Sequence, residues 1–315
     1  MNLQRLNRVI CFVIGGGLLF PLLLPSVGWT YEGPGSTGAS YLTLPVGPKS
    51  IAMGEVKAAL TGDPFNWIST PGALHYLGGD GLGLFHAEWI VDTRYDNLSY
   101  HHRINEKTII STGFTYTYRP DIQGYDESGQ ETESLKSNNF QALVGFGFSP
   151  VKSLTTGVTF KYFREKLDEW NTGGLGVDIG FLYVFKNPDF ALGFVAQNLG
   201  PDIKFDSMAE PLPLTIRFGA SSTVTVMENV SELTFASDLV KPRYESIYLS
   251  AGSELEMYNL LAVRVGYCGH ENRPGSGLTV GGGVKIKDKI ILDYAWTPYG
   301  DLGTFHRLSI FYCIR

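Results

Sequence analysis

The sequence predicts an all-β fold, a transmembrane antiparallel β-barrel of about 14 strands with an N-terminal, partly helical plug. Three observations predict it. The chain holds 38 Gly, 17 Tyr and 19 Phe but only 18% charged residues, which suits glycine-relieved, aromatic strands better than helices. From Gly81 onward, segments of alternating apolar and polar residues follow one another, many of them ten residues or longer. Globular strands stop near five or six residues, whereas a tilted spanning strand needs about nine to eleven. Finally, the connections sort by parity, short ones alternating with longer ones except near "VDTRY" and "KPRYE", which are short though they should face outward. Barrels with periplasmic turns and outward loops have that pattern, and a soluble sandwich has no reason for it.

The elements follow in order. Residues 1–28 carry Arg5 and Arg8 and no acid, then the apolar run from Val9 to Leu24, then small residues. That is the order of a secretory signal peptide. Its removal would take the net charge from −6 to −8, because two arginines leave with it. No basic run remains, which argues against nucleic acid as a partner. After it no apolar run approaches the ~20 residues of a spanning helix. The mean hydropathy is near zero, as in a soluble protein or in a barrel whose strands alternate.

Residues 29–80 differ from the rest and are expected to form the plug. "GPKSIAMGEVKAALTGD" reads as a short helix with Ser50 as N-cap and Gly62-Asp63-Pro64 as its stop. Residues 81–315 form the barrel. Its fourteen candidate strands are 81–90, 95–104, 107–119, 137–149, 152–166, 173–186, 189–198, 213–226, 231–241, 244–254, 258–268, 277–286, 289–297 and 303–314. "INEK", "SPVK", "KNPD", "MENVSE", "LEMYN" and "IKDK" are the short turns of one rim. "PDIQGYDESGQETESLKS" and "GPDIKFDSMAEPLP" are long loops of the other. Both chain ends then fall in the periplasm.

The segment "GGLGVDIGFLYVF" shows the alternation. Leu175, Val177, Ile179, Phe181, Tyr183 and Phe185 share one face, with Gly174, Gly176, Asp178 and Gly180 on the other. Its glycines resemble a phosphate loop in spacing, but a period of two runs straight through them, so they belong to a strand. In lipid the apolar face points out. Lys161, Asp178, Arg217, Asp238, Arg264, Lys285, Asp293 and Arg307 then point into the lumen. Trp89, Tyr116, Tyr118, Tyr183 and Trp296 are expected in the aromatic girdles. An exported soluble β-sandwich adhesin would exchange the two faces.

"LPVGPKSIAMGEVKAALTGDPFNWISTPGAL" resembles the start of PorV/PorQ-type outer-membrane proteins, relatives of the FadL-like barrels. Gly47, Met53, Gly54, Ala58, Ala59, Asp63, Pro71 and Gly72 stand in that stretch. "DYAWTPYGDLGTFHRLSIFY" is similar to the family's closing hairpin, with Asp293, Tyr294, Ala295, Leu302, Gly303, His306 and Arg307 in register. The chain departs from the family's Asn-Pro-Ala-Gly with Thr70-Pro71-Gly72-Ala73, and it ends in Arg315 where an aromatic is usual. The resemblance implies a plugged outer-membrane barrel in contact with lipid. It implies a part in type IX-like secretion or in handling exported proteins at the cell surface, with secretion-system components or exported proteins as partners. The alternative it carries is a FadL-like channel for hydrophobic small molecules. An interaction role would use exposed apolar loop residues, for which Phe205, Met208 and Leu212 are candidates.

No catalytic residue, cofactor or metal site is expected. No G-x-S-x-G, H-E-x-x-H or P-loop motif occurs. His101 and His102 are adjacent on a strand and point to opposite faces. Cys268-Gly-His270 lacks partners at metal-site spacing. Cys268 and Cys313 could pair in an oxidising compartment, though their spacing does not require it.

Overall fold

The computed structural model describes residues 35–314 apart from 187–188, 206–207 and 229. The expected signal segment 1–28 and Arg315 lie outside the described residues. Fourteen antiparallel strands close into one barrel: β1 (Gly81–Glu88), β2 (Arg94–Arg103), β3 (Thr108–Tyr125), β4 (Glu131–Val151), β5 (Leu154–Leu167), β6 (Trp170–Lys186), β7 (Asp189–Leu199), β10 (Thr215–Met227), β11 (Ser231–Pro242), β12 (Tyr248–Met257), β13 (Leu261–Cys268), β14 (Leu278–Ile286), β15 (Ile290–Pro298) and β16 (Thr304–Cys313). β8 (Ile203–Phe205) and β9 (Met208–Glu210) form a separate two-stranded sheet in the loop after β7. Every strand pairs with its neighbour in the barrel sequence, and β1 closes on β16 from Gly81↔Cys313 to Ala87↔Arg307. A closed barrel leaves no sheet edge. It also removes the two-sheet sandwich from consideration.

Burial shows which face is which. The exposed side of β6 carries Leu175, Ile179, Phe181, Tyr183 and Phe185, while Asp178 and Leu182 are fully buried. Large apolar side chains outside and buried charges inside invert the order of a soluble protein. Ten residues of β6 at ~3.3 Å each, tilted by roughly 40°, give an apolar height of about 25 Å, the thickness of an outer-membrane band.

Some elements differ from the sequence reading. The 119–137 loop is largely strand, because β3 and β4 continue as a hairpin beyond the membrane level, with Ile122 opposite Leu135. Polar ladders sustain this part. Gln123 donates to the Thr132 carbonyl (2.8 Å), and the Asp126 carboxylate turns the chain by accepting from Ser128 N and Gln130 N, both at 2.8 Å. The segment read as strand 244–254 begins at Tyr248, and the turn read as "LEMYN" closes at Tyr258 and Asn259, both with positive φ. Cys268 lies at the outer end of β13 and Cys313 at the periplasmic end of β16, and both are free, so they do not pair. Trp89 is not a girdle residue. Its ring stacks on Phe305 and meets Tyr299 at the mouth of the lumen. Tyr116, Tyr118 and Tyr183 are exposed on the outer face.

The plug enters from the outside. Ala39 packs with Phe163, Ile203 and Leu212, near the outer end of β5 and under the β8–β9 sheet. The first described residues therefore lie on the outer side, while both ends of the barrel, Gly81 and Cys313, pair at the periplasmic rim. The chain descends through a 3-10 turn (Ser40–Thr43) to α1 (Pro48–Ala52), then through 3-10 turns at Asn66–Ile68 and Pro71–Tyr76, and reaches β1 at the periplasmic rim. α1 is shorter than expected, because Gly54 has φ +76° and ends it. Its N-cap is Gly47; Ser50 lies inside the helix and donates back to the Gly47 carbonyl at 3.0 Å.

Candidate functional site

The candidate site is the plug and the lumen wall that holds it. Helix and turns here are too short to persist alone, so neighbouring groups must hold them. Asp63 does so within the plug. Its carboxylate accepts from Ser50 N at 3.1 Å and from Phe65 N at 2.9 Å, tying the start of α1 to the turn that follows. A side chain on Gly47 would lie 2.7 Å from that carboxylate, and Gly47 has φ +98°. Gly47 and Asp63 are one device.

Barrel glycines let the plug backbone approach. A Cβ on Gly193 would stand 1.8 Å from the Ala58 carbonyl oxygen, one on Gly252 2.3 Å from that of Met53, and one on Gly157 2.3 Å from that of Pro71. Gly72 packs against the Gly180 backbone, and Thr155 donates to the Gly72 carbonyl at 2.7 Å. The Thr70-Pro71-Gly72-Ala73 variant thus seats on β5 and β6. Next to these close approaches, wall hydroxyls and one imidazole satisfy plug carbonyls. Thr279 donates to Ala52 O (2.9 Å) and accepts from Gly54 N (2.9 Å). Ser221 donates to Ala59 O (2.8 Å), and Thr159 to Trp67 O (3.2 Å). His101 Nε2 donates to Pro64 O at 2.9 Å, and its Nδ1 meets the Ser111 hydroxyl at 2.6 Å. Its neighbour His102 faces out and meets Asp80.

Charges do the rest. Asp238 accepts from Lys57 N (2.7 Å) and Ala58 N (3.0 Å), with Arg217 Nη1 3.7 Å away. Arg217 also donates to Gln197 and to the Glu55 carbonyl. On the other wall Lys49 of α1 meets Glu254 at 2.8 Å, and Arg264 bridges Glu254 and Asp293. The signs alternate along these four groups, so each buried charge has an opposite neighbour. Lys161 pairs with Asp178 at 2.6 Å and donates to Asn198; both partners belong to the wall and leave the plug alone. Arg307 is fully buried over the Trp89 ring, 4.7 Å from its centroid, and donates to the Thr297 hydroxyl. Lys285 sits at the periplasmic rim, 34% exposed, and pairs with Asp288 at 3.1 Å.

Sequence reasoning missed three members: Glu254, Glu55 and Arg273. Arg273 comes from the loop after β13 and holds Glu55 of the plug at 2.8 Å. Glu254 lies on the inward alternation of β12, and that register was the available signal. Nothing in the alternation reveals Glu55 or Arg273. Of the apolar loop candidates, Met208 is 71% exposed, Leu212 is buried against Phe163 and Ala39, and the Phe205 side chain lies outside the described ones.

Two cavities flank the plug. The outer one, about 420 Å³, is lined by Glu55, Lys57, Arg217, Glu245 and Arg273 among others. The periplasmic one, about 520 Å³, is lined by Lys49, Arg264, Lys285, Asp288 and Asp293 among others. They share no lining residue, and the plug from α1 to Lys57 lies between them.

A plugged barrel held in this way can be compared with known proteins. The family described as Type IX secretion system protein PorV matches residues 36–242, from the plug through β11. The chain belongs to the PorV family. It is an outer-membrane β-barrel of that secretion-system family, and the barrel continues past the matched region to β16. Solved structures similar to this PorV-family chain include the Pseudomonas putida toluene transporter TodX, at 14% identity and TM-score 0.60 over 84% of this chain and 96% of that one. The Ralstonia pickettii toluene transporter TbuX is similar at 14% identity and TM-score 0.57, with the same coverage. A FadL homologue of Pseudomonas aeruginosa follows at 9% identity and TM-score 0.52, over 86% and 99%. At these identities they share the fold alone. No curated protein matches the chain.

Proposed function

We propose that this PorV-family barrel acts in type IX secretion as a plugged platform that receives exported proteins at the cell surface, without catalysis of its own. The observation that carries this reading is the hairpin sheet standing beyond the membrane. β3–β6 rise above the band, and their mouth-facing side bears Ile122, Leu135, Leu167 and Trp170, each 43–51% exposed. They are neighbours, since Ile122 opposes Leu135 and Leu167 opposes Trp170. An uncovered apolar patch at the mouth suits polypeptide contact. Passage of hydrocarbons suits the lumen poorly, because charged side chains line both cavities and the plug separates them. An N-terminal signal on residues 1–28 fits the same placement.

The test is complementation of a deletion strain with wild type and with a Leu167→Ser/Trp170→Ser variant. Export should fail in the deletion strain and fall at least tenfold in the variant, while the heat-modifiable band of the folded barrel persists. Normal export from the deletion strain sinks the reading.

A further inference from the structure

The walls of the barrel are unequal at the outer rim. On β5 the outward residues are Leu154, Thr156, Val158, Phe160 and Tyr162, and above them Arg164 and Lys166. Arg164 lies ten residues beyond Leu154, which sets it about 25 Å up the wall, where the apolar band ends. Strand register supplies its neighbours. Tyr162 opposes Ala142 of β4 and Leu175 of β6, Arg164 opposes Phe140 and Gly173, and Lys166 opposes Asn138 and Asn171. Lys136 is the next outward residue of β4 above Asn138. On β3, Tyr116 pairs with Phe140 and Tyr118 with Asn138, and both tyrosines are exposed. Aromatic rings thus close the apolar band, and three cations stand directly over them.

Lys136, Arg164 and Lys166 are exposed, and unlike the charges of the lumen they enter no ion pair among the described residues. Arg164 Nε donates to Asn171 Oδ1 at 2.7 Å, which lays the guanidinium along the wall towards β6. Its Nη groups have no protein acceptor among the described residues. The nearby acids lie elsewhere. Glu165 alternates to the inner side, and Asp168 and Glu169 belong to the turn above. Residues two apart on a strand, or diagonal across a pair, are roughly 7–8 Å apart. Three like charges at that spacing repel one another and call for an anion between them. From β12 to β15 the outward residues at the same rim are Leu249, Tyr267, Leu278 and Trp296, with no cation.

We propose that Lys136, Arg164 and Lys166 form a binding site for the phosphate group of an outer-leaflet lipid, whose acyl chains lie down the aromatic stripe of Phe140 and Tyr162. The height of the cations fits a headgroup, and their position directly over exposed rings fits a ligand with both a phosphate and a hydrocarbon tail. Arg164 offers its planar Nη pair to two phosphate oxygens, while the two lysines act as point charges on the remainder. The rim is the one from which the β3–β6 sheet projects, so the leaflet is the outer one. A lipid held there fixes the membrane level just beneath that sheet. The site stands on the wall's own residues and needs nothing from the secretion reading.

The test uses the full folded barrel in neutral detergent, with bound species read by native mass spectrometry. The probes are a monophosphorylated glucosamine-disaccharide lipid, its dephosphorylated form, and inorganic phosphate. The wild type should retain one phosphorylated lipid per barrel, and at least tenfold less of the dephosphorylated form. Equal retention of the two overturns the proposal, since the contact is then with the acyl chains alone. Inorganic phosphate at the lipid's concentration should leave it bound; displacement would mean a site for a free anion and overturn the lipid assignment. A Lys136→Gln/Arg164→Gln/Lys166→Gln variant should lower retention at least tenfold with the heat-modifiable band intact. A Lys107→Gln/Lys152→Gln/Lys289→Gln variant at the periplasmic rim should leave retention unchanged, and equal losses in the two variants also overturn the proposal. If the first variant fails to fold, the wild type's choice between the two lipids still decides.

Discussion

Gly193 and Gly176 are both inward-facing glycines, and alternation alone makes them equal. Contact separates them. A Cβ on Gly193 would strike the Ala58 carbonyl at 1.8 Å, whereas one on Gly176 has nothing nearer than 3.8 Å. Gly193→Ala should therefore displace the plug and cost about 1–3 kcal/mol, as overpacking does. Gly176→Ala should be neutral or slightly stabilising, since it mainly restricts the unfolded chain. Urea midpoints of the folded band in lipid vesicles would check both, and equal losses would refute the contact argument. The buried charges show the same limit. The inward position of Lys161, Asp178, Arg217, Asp238, Arg264, Asp293 and Arg307 was readable from a period of two. Their partners were not, because Lys161 finds another wall residue while Asp238 takes two backbone amides of the plug.

At the scale of elements the plug is held mainly by the wall and little by its own helicity. Lys57 shows the cost of that arrangement. Burial, and then the neighbouring Arg217, push its ammonium down to about 8. An unfolded chain keeps Lys57 protonated until roughly pH 10.4. Between pH 8 and that value the unfolded state binds more protons, so stability contributed by this group rises with pH and is lacking below pH 8. Lys57→Met should therefore stabilise the barrel below pH 8, by on the order of 3 kcal/mol, with the gain fading as pH approaches 10.4. Urea midpoints of the two proteins at pH 7, 8.5 and 10 would measure it; a constant difference would show that the charge is not responsible. Element type was legible where membrane alternation applies, as in β6. It was not where the chain leaves lipid. Beyond Arg119 the pairing of β3 with β4 depends on polar ladders such as Gln123 with Thr132, which carry no apolar period.

The whole molecule is a barrel of unequal walls closed by a plug that both sides grip. Lys49 ties α1 to β12, and Asp238 ties Lys57 and Ala58 to β11, so the two cavities stay apart. In planar bilayers the wild-type barrel should show no steady open state. An Asp238→Asn/Glu254→Gln variant, which weakens both grips while keeping side-chain volume, should show flickering conductance. A wild-type barrel that conducts steadily would contradict the closed lumen.

The strand number, the faces and the parity of most connections are legible in the chain's local pattern. Lipid imposes those through backbone satisfaction and a period of two, which each strand must obey locally. The local sequence also carried the family resemblance of the plug segment, which lies inside the matched residues 36–242. Long-range contacts alone settle that the plug enters from outside, that Arg273 reaches Glu55, and that His86 and Asp96 meet on the outward face of β1 and β2. Those features depend on residues distant in sequence meeting across the lumen or between neighbouring strands, and a local period contains no term for either.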